Sequence, residues 1–238
     1  MAWFIAAALA AFFIKGLCGF ANTLVFQSIL SFSVNNASIS PIELVLGFPG
    51  NAILTWQNRK SLDPKVFLPL TALMLAGNIP GALMLKNMDG RIVKVIFGAA
   101  IIFIALDMLL GQGRERREPK KWMTAAVGIA AGVLSGLFGV GALLAAYVSR
   151  VTDTGSEFKA NVSAVFLAEN VFRVFLYTML GMITVDVLKT ALLLMPAMLA
   201  GLFAGIAVSR KIDDNAIKKL VLLLLIFSGI VLILQNIG

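Results

Sequence analysis

Apolar positions run along this chain in long blocks, and the polar positions fall either between the blocks or, more informatively, inside them. Six stretches at about 41–56, 66–85, 92–111, 160–180, 187–208 and 217–236 are apolar over nearly the length that a membrane-crossing helix needs, roughly 20 residues. Two further segments, 1–32 and 122–149, are apolar for longer than one span requires and carry glycines near their middles. Each predicts a helix broken in two. The first block lacks a basic leading region and a cleavage site, so it is expected to belong to the mature chain.

The break is spelled almost identically in both segments. Gly16-Leu17-Cys18-Gly19 and Gly136-Leu137-Phe138-Gly139 lie 120 residues apart. A second pair of motifs repeats at an offset of 124: Gly77-Asn78-Ile79-Pro80-Gly81 before Asp89 and Lys94, and Gly201-Leu202-Phe203-Ala204-Gly205 before Asp213 and Lys218. The ordered pair of echoes predicts an internal duplication. The domains are then residues 1–112, a basic linker at 113–121, and residues 122–238.

The distribution of Lys and Arg selects between two ways of threading this pattern, because cytoplasmic loops collect basic residues. If both broken segments cross the bilayer, the loops divide nine basic residues against nine, with no bias. If each enters and returns to its own side as a re-entrant hairpin, with legs of about 14 residues, the division becomes fourteen against four. Arg59, Lys60, Lys65, the linker GRERREPKK, Arg150, Lys159 and Arg210 to Lys219 then share one side, the cytoplasm; Lys86, Arg91, Lys94 and Lys189 lie on the other. The expected fold is an all-α integral membrane protein with an inverted-topology repeat, each half one re-entrant helical hairpin plus three transmembrane helices, both termini external. Charge alone is silent about the first hairpin, whose side follows from symmetry.

Composition agrees and narrows the chemistry. The 238 residues are 60% apolar and 13% charged, with mean hydropathy +0.95, against about half and a quarter in soluble domains. There is no histidine and one cysteine, so a disulfide within the chain is excluded and the usual zinc, haem and Cys-His sites lose their ligands. No metal, cofactor or enzymatic activity is expected. The net charge of +8 resides between apolar runs, so it reads as topology and not as a nucleic-acid surface. The expected partners are the lipid bilayer and a small anionic substrate, and a homo-oligomer is left open.

Unpaired backbone at membrane depth is tolerated where protein buries it or where it lines a wet cavity. Two facing breaks therefore predict one central site, with half-helices starting after Gly19 and Gly139 aiming free N–H groups at an anion. Asn22 and Thr23 would add side-chain donors, and Lys15, beside the first break in an otherwise apolar run, would supply the counter-charge; tight helix packing by the glycines and a snorkelling lysine are the plainer alternatives. In the 160–180 span, Glu169, Asn170 and Arg173 fall mid-membrane, with Glu169 and Arg173 spaced to share a face. A structural ion pair competes there with a functional one, in which Arg173 holds substrate and Glu169 carries a coupling proton. Pro49 is expected to kink or unwind its span, bringing Asn51 to the position matching Asn170. Glu43 and Asp107, close to span ends, read as interface residues, the Gly77/Gly81 and Gly201/Gly205 motifs as helix-packing surfaces, and Cys18 as small-residue packing.

The two glycine-rich stretches, GLCGFANTLVF and GLFGVGALLA, each opening one half, together with the short spans that follow and with Lys159-Ala160 and Ser163, resemble the sulfite exporter TauE/SafE family, also called the sulfonate uptake permease type. The resemblance runs over the whole chain. It implies a bacterial or archaeal cytoplasmic-membrane transporter of sulfonates or sulfur oxyanions, and carries the site onto Gly16, Gly19, Gly136, Gly139, Gly141 and Ser163. Where the family has a Gly-Gly-Gly run followed by proline, this chain has Ala21-Asn22-Thr23 and Gly141-Ala142-Leu143, which leaves the substrate's identity open. The function expected is secondary transport of a small anion by alternating access, export being favoured because membrane potential drives an anion outward. An anion channel, a carboxylate permease and a non-transporting sensor or scaffold are the competing classes. The chain has no P-loop to use ATP.

Overall fold

The computed structural model describes residues 2–30, 36–87, 121–139, 141–179 and 181–237, with single positions at 95, 98, 99, 102, 103 and 106. Every regular element among them is helical: α1 (Ala2–Cys18), α2 (Asn22–Leu30), α3 (Asn36–Gln57), a 3-10 turn (Arg59–Ser61), α4 (Pro64–Asn87), α5 (Lys121–Phe138), α6 (Ala142–Val151), α7 (Gly155–Met179), α8 (Val185–Ser209) and α9 (Asp214–Ile237). Most of the 92–111 stretch, Asp107 and linker positions 113–120 lie outside the described residues.

Local chemistry sets the helix starts. Asp63 caps α4 by accepting the Lys65 N–H (2.9 Å), with Pro64 in the first helical position, where its missing N–H costs nothing. Thr154 accepts the Glu157 N–H at the head of α7 (3.1 Å), and the Glu157 carboxylate reaches back to the Asp153 N–H (2.9 Å), a variant of the capping box. Thr184 accepts the Val187 N–H to open α8. The unwinding expected at Pro49 does not occur: α3 is helical through Pro41 and Pro49, because neighbouring helices can satisfy the carbonyl that a proline frees.

Both long apolar segments break where the glycines predict, and both fold back. Trp3 Nε1, near the start of α1, donates to the Ile29 carbonyl at the end of α2 (3.1 Å), and Thr124 of α5 bonds Tyr147 of α6 (2.6 Å). The legs are unequal, with 17 and 9 residues in the first hairpin and 18 and 10 in the second, where 14 and 14 were expected. The glycines fix where the chain turns and not where the shorter leg stops.

The two halves pack by exchanging partners: α1 lies along α8, α5 lies along α4, and α3 faces α7. Glycines set the closeness of the exchanged pairs. A Cβ on Gly201 or Gly205 would strike the Leu9 or Phe13 carbonyl of α1, and one on Gly77 or Gly81 would strike the Ile129 or Val133 carbonyl of α5. Leu9 and Ile129, like Phe13 and Val133, are 120 residues apart, and the glycines they meet are 124 apart. The two sequence echoes are thus the two faces of one interface, built twice.

Burial is reversed relative to a protein in water. Trp3, Leu68, Phe175, Leu192, Phe227 and Leu234 are each more than half exposed, while Lys15, Glu43, Glu169 and Arg173 are buried. Apolar surface of that extent would cost about 25 cal/mol per Å² in water and is neutral against lipid. By length and apolar character, α7 and α8 each suffice to cross a bilayer.

Candidate anion-binding site

Each hairpin turns on a glycine in the left-handed region, Gly19 (φ +87°) and Gly139 (φ +70°). The last helical bond before each turn is equivalent: the Gly19 N–H donates to the Lys15 carbonyl (2.7 Å) and the Gly139 N–H to the Ser135 carbonyl (2.6 Å). Ala21 also has φ +71°, a conformation that costs an L-residue about 1–2 kcal/mol. Beyond the turns, the first N–H groups of α2 and α6 have no partners within their own helices; Gly141, which precedes α6, supplies no side-chain cap.

Between the two turns lies a small cavity, with about 30 Å³ open to the centre of a water molecule. Lys15, Ala21, Asn22, Thr23, Glu43, Asn51, Gly139, Gly141, Glu169, Asn170 and Arg173 line it, with Phe20, Leu24, Ala142 and Phe166. Four ionisable groups thus meet in one buried space, two cationic and two carboxylic.

They form two clusters. At the first turn, Lys15 Nζ donates to Asn22 Oδ1 (2.8 Å), and Asn22 Nδ2 donates to Glu43 Oε1, so one amide links ammonium to carboxylate. The Thr23 hydroxyl also reaches Glu43. At the second turn, Glu169 Oε1 accepts from Ser135 Oγ (2.8 Å) and Asn78 Nδ2 (3.1 Å) and faces Arg173 Nε at 3.5 Å. Arg173 Nη2 donates to Tyr177 Oη (2.8 Å) and Ser40 Oγ (3.1 Å). The guanidinium lies against the turn: a Cβ on Gly139 would be 2.9 Å from both Nη atoms. Between the clusters, Asn170 accepts from Asn51 Nδ2 (3.0 Å) and the Phe48 N–H (3.3 Å) once its amide is oriented to satisfy both ends.

Of the residues singled out in the sequence, Lys15, Asn22, Thr23, Asn51, Gly139, Gly141, Glu169, Asn170 and Arg173 come together at this cavity. Four do not line it. Gly16 packs on α8, where a Cβ would strike the Leu202 carbonyl, and Gly136 is buried in α5 a turn before the break. Gly19 makes the turn itself, with the Lys159 stem against it, and Ser163 is fully buried in α7, its hydroxyl without a partner. These four shape the hairpins and their packing. Cys18, expected as packing, is buried with its Sγ donating to the Ile14 carbonyl (2.9 Å).

Glu43 corrects the sequence reading. It is 3% exposed and belongs to the first cluster, not to an interface, because α3 begins five residues before the apolar run and carries Glu43 deeper. Ser40, Asn78, Ser135 and Tyr177 were also missed. Ser135 had a signal, since it stands 120 residues after Lys15 in the equivalent turn; the others look like ordinary polar positions until α3, α4 and α7 are assembled.

Neither a curated protein nor a solved structure matches the chain. A family model does, over residues 4–232, and its span takes in both hairpins and every residue of the cavity. Buried charge gathered at two helix breaks inside an apolar exterior is the organisation of a membrane transporter, and by this match the chain belongs to the sulfite exporter TauE/SafE family.

Proposed function

We infer that this chain is a secondary transporter that binds a small sulfur oxyanion or sulfonate between its two helix breaks and carries it by alternating access, export being the working direction. The observation that carries this is the convergence of Lys15 and Arg173 with the first residues of α2 and α6 on one cavity. Lys15, Asn22, Thr23 and Arg173 bind the anion; Asn51 and Asn170 hold α3 and α7 in register across it. The fold-back bonds at Trp3 and Thr124 and the exchanged α1–α8 and α5–α4 pairs support an inverted repeat of two hairpins and six spans, divided at 113–121. The setting proposed is a bacterial or archaeal cytoplasmic membrane with both termini outside.

The test is flux in proteoliposomes loaded with sulfite, methanesulfonate or acetate. Sulfite and methanesulfonate should move and acetate should lag. Lys15→Met should lower the flux by about thirtyfold or more, equivalent to the ~2 kcal/mol lower bound for truncating one partner of a buried charge pair. Equal flux in wild type and Lys15→Met removes Lys15 from the site, and no flux of any sulfur anion ends the transport reading.

A further inference from the structure

The cavity's own charges balance: Lys15 and Arg173 oppose Glu43 and Glu169, all buried, with no histidine in the chain to adjust them. An anion entering this space brings a third negative charge against two positive ones. In a medium that screens poorly, that imbalance has to be relieved as the anion arrives. Protonating a carboxylate restores neutrality, and the two available carboxylates are not equivalent.

Glu169 is already fully engaged. It faces the guanidinium of Arg173 at 3.5 Å and accepts from Ser135 and Asn78. Glu43 has only neutral donors, the Asn22 amide and the Thr23 hydroxyl, and reaches Lys15 through Asn22. The charged groups facing it are Lys15 from α1 and Arg173 and Glu169 from α7. An anion drawn to Lys15 and to the α2 N–H groups would compete for the ammonium that Asn22 links to Glu43.

From this geometry we propose that Glu43 takes up one proton as the anion binds and gives it up as the anion leaves, making transport an electroneutral co-movement of anion and proton. The proposal rests on the transport reading above, relocates the coupling proton from Glu169 to Glu43, and makes the anion and proton gradients, in place of the membrane potential, set the direction of transport. The balance closes: the cavity is neutral when empty, with Glu43 as carboxylate, and neutral when filled, with Glu43 as carboxylic acid. Asn22 is a positioning residue, its amide turning with the state of Glu43. Glu169 keeps Arg173 against the second turn.

Methanesulfonate is the probe, since it does not titrate near neutral pH. The purified full-length protein is titrated with it in a weakly buffered solution containing a pH indicator. Wild type should take up about one proton per anion bound; Glu43→Gln should bind without proton uptake, and Glu157→Gln, outside the cavity, should behave as wild type. In wild-type proteoliposomes, methanesulfonate flux should follow an imposed pH difference and ignore a clamped membrane potential. Binding without proton uptake in wild type, undiminished uptake in Glu43→Gln, or flux that follows potential overturns the proposal while leaving transport standing. Should Glu43→Gln fail to fold, the wild-type proton count and potential test decide alone. Absence of any binding or flux removes the transport reading, and this proposal with it.

Discussion

Replacing Arg173 by methionine keeps most of the side-chain stem while deleting the cation that, among the described residues, contacts Glu169, and the structure fixes what that should cost. Ser40 and Tyr177, which Arg173 bonds, also bond each other at 3.2 Å and are not orphaned by the change. The loss therefore falls on Glu169, left with Ser135 and Asn78 as donors to a buried carboxylate. Coulomb attraction at the 3.5 Å separation is about 5 kcal/mol at an effective dielectric of 20, and breaking buried pairs typically costs about 3–5 kcal/mol. For a chain of this size that corresponds to a fall in Tm of roughly 6–20 °C. Thermal unfolding of the detergent-solubilised protein, followed by circular dichroism, measures it. The control is Arg173→Met combined with Glu169→Gln, which removes the stranded charge and should recover most of the loss; the double-mutant cycle then isolates the pair. A single-mutant loss under about 0.5 kcal/mol, the size of an ordinary surface change, or a double mutant no better than the single, would refute the pair as the support of the second turn.

The exchanged interfaces make a paired prediction: Gly81→Ala and Gly205→Ala each push a Cβ into a carbonyl of the facing helix, so each should lower stability by about 1–3 kcal/mol in the same unfolding assay. Ala21→Gly relieves the left-handed strain at the first turn and should raise stability by about 1 kcal/mol; an unchanged Tm would show that the turn relaxes around alanine. For topology, cysteines placed at Ser156, in the first turn of α7, and at Thr184, which caps α8, both exposed, should react with a membrane-impermeant maleimide from opposite sides, Thr184→Cys from outside. Labelling of both from one side would dismantle the inverted repeat. The native Cys18, 1% exposed, should contribute little background.

The hydrophobic pattern alone determined where helices run and where two of them break, because the cost of leaving backbone unpaired in lipid makes span length and interruption directly visible in sequence. The offsets of 120 and 124 marked the glycines that make the two matching helix contacts, and isolated charges in apolar runs announced Lys15, Glu169 and Arg173, since an ionisable residue at that depth needs a partner. The pairing of Glu169 with Arg173 was legible from their spacing; the rest of the partners were not. Glu43 looked like an interface residue because its place depends on how far α3 extends and on what α2 presents to it; Ser40, Asn78 and Tyr177 mattered only once α3, α4 and α7 surrounded Arg173 and Glu169. The split of the glycines into those that turn the chain, Gly19 and Gly139, and those that seat one helix on another, Gly16, Gly77, Gly81, Gly201 and Gly205, was also decided in three dimensions. A periodicity records which face a helix buries, but pairing between distant segments depends on distances that no spacing along the chain encodes.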